Sequence, residues 1–198
     1  MPFFCRLFSK TNDDKTAEIN DCPKDLPEIV KLSGRIRKYF NQVDILINNA
    51  GILIHKPFEE LVHADFNNIF NINFFSPAFL IREMIPLLRK SEIKHVVNIG
   101  SMGGFQGSVR FPGLSLYSAS KAALANLTES LAAEYSNEGI SFNCLAPGAV
   151  RTDMLAEAFP EYKAPVEPGD MGRYIRDFSM NAYKFMNGKV IPLSLSVP

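Results

Sequence analysis

The sequence predicts an α/β fold class built on a doubly wound parallel sheet. From residue 25 onward, strand and helix signals alternate along the chain. The strand signals are short, nearly continuous apolar runs, which are typical of strands buried on both faces of a parallel sheet. Helices between such strands favour right-handed crossovers, which place helices on both faces of the sheet.

The first elements follow from their local patterns. Residues 25–40 predict a helix, because their apolar residues recur at helical spacing. Residues 43–51, "VDILINNAG", predict a buried strand that stops at two asparagines and a glycine. A second helix is expected over 64–88, with a bend at Pro77, because proline lacks the N–H that a helix interior requires.

The remaining elements complete the alternation. A strand is expected in "KHVVNIGS", a helix over 117–135, a strand in "GISFNCLAPG" and a last strand in "KVIPLSLS". Residues 1–24 are atypical, since they offer at most one weak strand and a polar loop. We therefore expect a single domain over residues 1–198.

The composition is that of an ordinary globular domain. Apolar residues make up 46% of the chain and charged residues 21%, and 21 basic side chains balance 21 acidic ones. This balance gives no field that favours nucleic acid or an anionic membrane, and no stretch reaches membrane-spanning length. We expect neither nucleic acid nor a membrane as a partner.

Cysteine and histidine usage argues against a metal site. The three cysteines, Cys5, Cys22 and Cys144, are widely spaced, and the three histidines are scattered. This pattern fits neither a disulfide framework nor a zinc site, and it suits a reducing compartment. We expect no metal and a cytoplasmic location.

Polar and glycine-rich segments follow the predicted strands. They are "NNAG", "GSMGGFQGS" and "PGAVRTDM". Ligands of doubly wound sheets bind beyond the carboxyl ends of the strands. The placement of these segments therefore predicts a ligand-binding domain.

The helix at 117–135 begins with a tyrosine and a lysine four residues apart, Tyr117 and Lys121. Residues at this spacing share a face of a helix. A neighbouring ammonium lowers the pKa of a tyrosine, and a shift of about three units needs roughly 4 kcal/mol of differential interaction. The pair indicates a tuned proton donor; the alternative is an amphipathic helix whose lysine extends along its surface to water.

Five motifs, read in order, resemble the short-chain dehydrogenase/reductase family. They are "DILINNAG" (44–51), "NINFF" (71–75), "VVNIGS" (96–101), "YSASK" (117–121) and "PGAVRTDM" (147–154). The resemblance covers roughly residues 25 to 195. It implies a Rossmann-like, three-layer α/β/α fold and an oxidoreductase that interconverts an alcohol and a carbonyl compound.

The resemblance also implies four catalytic residues. Tyr117 would protonate the carbonyl oxygen during reduction or deprotonate the alcohol during oxidation. Ser101 would hydrogen-bond the substrate oxygen. Lys121 would hold the nicotinamide ribose and keep the phenol acidic, while Asn73 would hold a water that feeds protons through Lys121.

The implied cofactor is NAD or NADP, with NADP slightly preferred. Structural support at a strand end is an equal alternative for Asn48 and Asn49, and a plain strand-to-loop turn is the alternative for the Pro147 segment. The expected cofactor-binding residues are Asn48, Ala50, Gly51, Tyr117, Lys121, Pro147, Gly148, Val150 and Thr152.

Two glycine- or proline-rich segments have their own interpretation. The glycines of "GSMGGFQG" match neither G-x-G-x-x-G nor the P-loop, so we interpret them as a flexible wall beside Ser101. In the family, the segment at 151–180 forms a mobile lid over the substrate, the alternative being a surface excursion. The apolar ceiling of an uncharged substrate would then come from Met154, Leu155, Phe159 and Tyr162.

The sequence departs from the family at its start. Family members begin with T-G-x-x-x-G-x-G, which seats the pyrophosphate at a helix N-terminus, whereas the first glycine here is Gly34. The fold is therefore expected to be N-terminally truncated, with an interior sheet edge exposed. The spacing before Tyr117 is also long, which leaves Ser108 as a second candidate for the serine role. A non-catalytic scaffold or oligomerisation protein is the alternative function.

Association is implied as well. Family members commonly form a homodimer or homotetramer through the helices that correspond to 64–88 and 117–135. Small residues in the second helix would allow close contact with a copy, although they also suit packing on the sheet. These residues are Ala122, Ala125, Ala132 and Ala133.

Overall fold

A computed structural model describes residues 5–9, 15–19 and 26–195, with side chains from residue 27 onward. Its strands are β1 (Cys5–Ser9), β2 (Lys15–Ile19), β3 (Ile45–Asn48), β4 (His95–Ile99), β5 (Ser141–Pro147) and β6 (Lys189–Leu193). Its α-helices are α1 (Leu26–Tyr39), α2 (His63–Phe70), α3 (Ser76–Leu88), α4 (Ser115–Glu134), α5 (Asp153–Ala158) and α6 (Pro168–Asn181).

The described strands form one six-stranded sheet in the order β2-β1-β3-β4-β5-β6. The four strands from β3 to β6 are parallel to one another, and helices connect each consecutive pair. This arrangement confirms the predicted Rossmann-like α/β class. Parallel neighbours place their carboxyl ends at one edge of the sheet, where the polar segments follow.

The first two strands correct the sequence prediction of at most one weak strand before residue 25. β1 pairs antiparallel with both β2 and β3, with Cys5 opposite Asn48. The backbone of β1 thereby covers the edge of β3 that was expected to be exposed. An unpaired edge leaves a row of backbone donors and acceptors, and a strand added there satisfies them. The rest of the atypical 1–24 segment lies outside the described residues.

Both faces of β3, β4 and β5 are buried, whereas β6 at the edge of the sheet is only partly covered. Successive strand residues point to opposite faces, so Leu46 packs on one side while Ile45 and Ile47 pack on the other. The first side is covered by α1, α3 and the end of α4. The second is covered by α6 through Ile175, Phe178 and Met180. Burial on both faces explains why the strand signals are continuous apolar runs.

The helix expected over 64–88 contains a π-helical turn at Asn71–Phe75, between α2 and α3. The Ser76 N–H donates to the carbonyl of Asn71, five residues back. Pro77 was expected to bend this helix, because it has no N–H to donate to the Asn73 carbonyl. It lies in the first turn of α3, where a missing N–H is tolerated. The extra residue in the turn brings Asn73 to a fully buried position.

The segment at 151–180 contains α5 and α6. α6 is a covering helix of the sheet, as its apolar contacts show. Residues 151–167 precede it and include the short helix α5. Across the described residues, no helix is both long and apolar enough to cross a bilayer.

A buried histidine ties the sheet to α6 at the opposite end from the polar loops. His95 is fully buried; its Nδ1 donates to the Ser179 carbonyl at 2.8 Å, and its Nε2 accepts from Asn143 Nδ2 at 3.1 Å. The neutral ring satisfies both partners. Burial lowers the pKa of His95 to about 4, although the bond to the Ser179 carbonyl opposes this.

We expect His95 to make the free energy of unfolding fall by roughly 2 kcal/mol between about pH 7 and about pH 5. The folded-state pKa lies below the unfolded value of 6.5, so the unfolded chain takes up the proton first. The stabilisation is present above the unfolded pKa and is lost as the pH falls toward the folded one. Urea unfolding of the wild type and His95→Gln measures it, and equal pH dependences in the two proteins would contradict the assignment.

Candidate active site

Ser101 lies where the chain leaves β4. Gly100 donates to the Leu145 carbonyl at 2.7 Å, which continues the pairing with β5. The Ser101 backbone is extended, and its Oγ accepts from the Gly103 N–H at 3.2 Å. Ser101 thus caps a tight 3₁₀ turn at Met102–Gly104.

This turn packs directly on α4 because Gly104 has no side chain. A Cβ added there would lie 2.6 Å from the Ala122 nitrogen and 2.7 Å from the Lys121 carbonyl carbon. Such distances do not occur in stable structures, so only glycine allows the contact. The close approach brings Ser101 to the first turns of α4, which carry Tyr117.

Tyr117 is 9% exposed, and its hydroxyl accepts a hydrogen bond from the Ser101 side chain. Burial raises the pKa of the Tyr117 phenol, and the bond from Ser101 partly offsets that rise. The expected lowering by Lys121 is not found, because loss of hydration has the larger effect on this buried phenol. Among the causes of the shift, Ser101 is the group that stabilises the phenolate.

Lys121 is only 4% exposed and therefore lies on the buried face of α4, as Tyr117 does. Its Nζ donates to the Ile99 carbonyl at 2.9 Å. A Cβ added to Gly51 would lie 3.1 Å from Lys121 Nζ and 3.4 Å from Asn73 Oδ1. The ammonium and the amide thus converge on the backbone that follows β3.

The Asn73 side chain joins this backbone to α4. Its Oδ1 accepts from the Ile52 N–H at 2.8 Å, and its Nδ2 donates to the Ile52 carbonyl at 2.9 Å and to Ser120 Oγ at 3.0 Å. Ser120 Oγ in turn donates to the Tyr117 carbonyl at 2.7 Å. Asn73 therefore fixes the position of the helical turn that carries Tyr117.

Asn48 also belongs to a buried chain of hydrogen bonds. Its Nδ2 donates to Asn98 Oδ1 at 2.8 Å, and Asn98 Nδ2 donates to Thr128 Oγ1 at 2.9 Å. The chain crosses from β3 through β4 to α4. These contacts favour structural support at the strand end as the role of Asn48. Of the next two residues, Asn49 is exposed and Ala50 is buried.

We expect Asn48→Ala to lower the free energy of unfolding by about 1–3 kcal/mol, because it leaves the buried Asn98 amide oxygen without this donor. Affinity for a nicotinamide nucleotide should change much less. Asn49→Ala is the matched control and should leave stability nearly unchanged. Chemical denaturation and a nucleotide titration of both variants measure this; a stable Asn48→Ala with lost nucleotide binding would assign Asn48 to the ligand instead.

An apolar cleft opens in front of Ser101 and Tyr117. Its volume is about 600 Å³ when the space open to solvent is included. It contains all four predicted residues of the Pro147 segment but not Asn48, Ala50, Gly51, Asn73 or Lys121. Its lining residues are Leu53, Ser101, Met102, Gly103, Phe111, Leu114, Tyr117, Pro147, Gly148, Ala149, Val150, Thr152, Met154, Leu155 and Phe159.

The cleft includes residues that the sequence interpretation missed. Leu53, Phe111 and Leu114 come from loops whose apolar residues carry no periodic signal. Of the expected ceiling, Met154, Leu155 and Phe159 line the cleft, whereas Tyr162 does not.

The glycine-rich loop after Ser101 is held by an arginine. Arg110 donates to the carbonyls of Phe105 and Ser108 at 3.0 Å and 3.1 Å. Ser108, the second candidate for the serine role, does not line the cleft, and its buried hydroxyl has no hydrogen-bond partner among the described residues. The geometry therefore favours Ser101 for that role.

The residues present fit the nicotinamide end of a dinucleotide. Gly148 donates to the Leu193 carbonyl at 2.8 Å, and Thr152 Oγ1 accepts from the Leu155 N–H at 3.3 Å, which fixes the loop after β5 beside Tyr117. Because Gly51 has no side chain, the Lys121 ammonium lies beside the Gly51 backbone. For a pyrophosphate, residues 1–33 supply no glycine turn. Within the described ranges, no group of three or more potential metal ligands occurs.

The fold and the site together define an α/β domain with a serine–tyrosine–lysine constellation at the carboxyl edge of its sheet. The sequence profile of the short chain dehydrogenase family matches residues 13–163. The chain therefore belongs to the short-chain dehydrogenase/reductase family, as the motifs predicted.

The curated relatives are oxidoreductases. An oxidoreductase of Thermotoga maritima is 36% identical over 135 residues, which cover 68% of this chain and 51% of that protein. Hydroxynaphthalene reductase arp2 of Aspergillus fumigatus is 32% identical over 67% of this chain and 46% of its own length. A 3-oxoacyl-(acyl-carrier-protein) reductase of Haemophilus influenzae is 33% identical, with coverages of 72% and 57%. The chain spans about half the length of these relatives.

Solved structures agree with the fold. A 4-hydroxyisoleucine dehydrogenase mutant complexed with NADH and succinate superposes with a TM-score of 0.77 at 26% identity, covering 88% of this chain and 76% of that one. ElxO with NADP bound gives a TM-score of 0.75 at 27% identity, with coverages of 86% and 73%. Both nicotinamide cofactors therefore occur among the similar structures.

Proposed function

We propose that the chain forms the site of an NAD(P)(H)-dependent oxidoreductase that interconverts an alcohol and a carbonyl compound, with Tyr117 as general acid and base. The hydrogen bond from Ser101 to Tyr117 beside an apolar cleft carries the proposal. Two hydroxyl groups so placed can both reach one substrate oxygen. The family membership and the nicotinamide-bound neighbours support the reaction class.

The phenol is suited to donate a proton in the reductive direction. Because burial raises the pKa of Tyr117, the hydroxyl keeps its proton at neutral pH. As charge develops on the carbonyl oxygen, Tyr117 transfers that proton and Ser101 stabilises the oxygen with its own O–H. A bound nicotinamide would supply or accept the hydride. In the oxidative direction, the bond from Ser101 stabilises the phenolate that acts as base.

Lys121 and Asn73 shape the region next to this proton donor. We propose that Lys121 Nζ, close to the Gly51 backbone, holds the ribose hydroxyls of the nucleotide. Asn73 fixes the first part of α4 through Ser120, and its relay role remains a prediction from the family resemblance. NADP remains the slightly preferred cofactor and NAD the alternative.

A titration tests the proposal directly. Fluorescence of NADPH and NADH should change on binding, and NAD(P)H oxidation should follow when ketones and quinones are added. Lys121→Met should weaken nucleotide binding, while Lys184→Met, at an exposed position on the 3₁₀ turn Ala182–Lys184 after α6, serves as control. Absence of nucleotide binding at millimolar levels would refute the proposal for this chain.

A non-catalytic scaffold is the second candidate function. The lack of glycine in residues 1–33 favours it, because the usual pyrophosphate-binding turn depends on glycine. The same titration separates the two candidates. A folded chain that self-associates but binds neither nucleotide would support the scaffold.

We also propose that the chain forms a homodimer or homotetramer through α2, α3 and α4. The exposed aromatic side chains Phe66 and Phe75 on the α2–α3 segment support this, since contacts with a copy would bury them. Of the four alanines considered, Ala132 packs within the apolar layer of the sheet instead. Light scattering measures the assembly, and a monomer at high concentration would contradict it.

A further inference from the structure

The cleft in front of Tyr117 is built for an uncharged ligand. None of its described lining residues is Asp, Glu, Lys, Arg or His. Its side-chain hydroxyls belong to Ser101, Tyr117 and Thr152, and Thr152 Oγ1 already accepts the bond that caps α5. Transferring an ionised group into such surroundings is strongly unfavourable unless a partner compensates it. A ligand should therefore carry its polar oxygen at Ser101 and Tyr117 and be apolar elsewhere.

One wall of the cleft is aromatic. The rings of Phe111 and Phe159 meet edge to face, with centroids 6.2 Å apart and planes at 67°. Phe111 comes from the loop before α4, whereas Phe159 directly follows α5. Flat rings are favoured partners for such a pair, because aromatic groups prefer offset or edge-to-face contacts.

His55 fixes this wall from outside the cleft. Its ring centroid lies 5.5 Å from that of Phe159, and its Nε2–H donates to the Pro112 carbonyl at 3.2 Å. The ring packs on Gly113, where an added Cβ would lie 2.6 Å from the imidazole. The Lys56 N–H also donates to the Gly113 carbonyl at 3.1 Å. One residue thus joins the loop after β3, the loop before α4 and the end of α5.

We propose that the cleft takes a flat, uncharged aromatic carbonyl compound or the corresponding alcohol, and that His55 is a positioning residue that holds Phe159 beside Phe111 for this ligand. The chemistry at the ligand oxygen rests on the proposed function. Ligand binding itself does not, because it is measurable without turnover.

Naphthol, naphthoate and hexanol are suitable probes for the full chain, with and without NADP⁺. The chain has no tryptophan, so naphthol fluorescence anisotropy can be followed with little protein background. Calorimetry gives the affinities of the other two ligands. Naphthol should bind at least about tenfold more tightly than naphthoate, because the lining offers no partner for a carboxylate.

Three histidine variants measure what the His55 ring contributes to ligand binding. His55→Ala should weaken naphthol binding about three- to tenfold while changing hexanol binding less than about twofold. His55→Phe restores a ring and should recover most of the naphthol affinity. His63→Ala, at an exposed position outside the cleft, is the matched control and should match the wild type. The ratio of the two affinities would not shift if His55 only stabilised the fold.

Each outcome decides one point. Equal binding of naphthol and naphthoate, no naphthol binding under either condition, or equal behaviour of His55→Ala and His63→Ala would overturn this proposal. Selective naphthol binding together with no NAD(P)H oxidation for any ketone would overturn the proposed reaction and leave the ligand class standing.

Discussion

Replacing Tyr117 with phenylalanine is expected to lower kcat/KM for carbonyl reduction by about a thousandfold. The substitution removes the O–H that accepts from Ser101 and that would donate to the substrate oxygen, while the buried ring remains. General acid–base groups contribute roughly a hundred- to ten-thousandfold to rate. Stopped-flow oxidation of NAD(P)H with a reducible ketone measures the effect, and a nucleotide titration separates it from any loss of nucleotide affinity.

Tyr135→Phe is the control for this variant. Tyr135 follows the last turn of α4, contacts the Phe142 ring and does not line the cleft. Its hydroxyl is therefore remote from the chemistry, and turnover should be nearly that of the wild type. If Tyr117→Phe keeps wild-type turnover, Tyr117 is not the general acid and the proposed mechanism is wrong.

Replacing Gly104 with alanine is expected to lower the free energy of unfolding by about 2 kcal/mol and to abolish most activity. The new methyl group would lie 2.6 Å from the Ala122 nitrogen and 2.8 Å from Lys121 Cβ. Backbone atoms of a helix cannot move aside cheaply, so the turn at Met102–Gly104 must shift away from α4. The shift would separate Ser101 from Tyr117, which explains why activity should suffer along with stability.

Gly34→Ala is the matched control. Gly34 lies within α1, and a Cβ added there meets nothing within 4 Å. Alanine is the better helix former by about 1 kcal/mol, so this variant should be slightly more stable than the wild type. Chemical denaturation of both variants should therefore show a gap of about 3 kcal/mol. Equal stabilities would contradict the close contact between the turn and α4.

The inner strands of the parallel sheet, β3, β4 and β5, could be predicted because strands buried on both faces consist of continuous apolar runs. β3 and β4 are four and five residues long and fully buried. β1 could not be recognised, because it depends on pairing with an edge that lies about forty residues further along the chain. The π-helical turn was missed for a related reason, since the inward position of Asn73 is fixed by Ile52 and Ser120.

For the candidate site as well, some features could be predicted from the sequence and others depend on residues far apart in the chain. The order of the motifs predicted that Ser101 and Tyr117 lie together, and their hydrogen bond agrees with this. Helical spacing alone could not give the direction of the pKa shift of Tyr117, because burial by distant elements determines it. Asn48 was ambiguous in the sequence, since its partner Asn98 lies 50 residues away. The aromatic wall of Phe111 and Phe159, with His55 packed behind it, comes from three separate loops and leaves no periodic pattern.

The reversed direction of β1 determines which ends of the first two strands lie near the candidate site. Cys5 is paired with both Asn48 and Ile19, so the beginning of β1 and the end of β2 lie at the rim of the sheet that carries the candidate site. Ser9 and Lys15, which are paired with each other, lie at the opposite rim of the sheet. A label attached at Cys5 would therefore lie at the same rim as Ser101 and Tyr117, whereas a label attached at Ser9 or Lys15 would lie at the opposite rim.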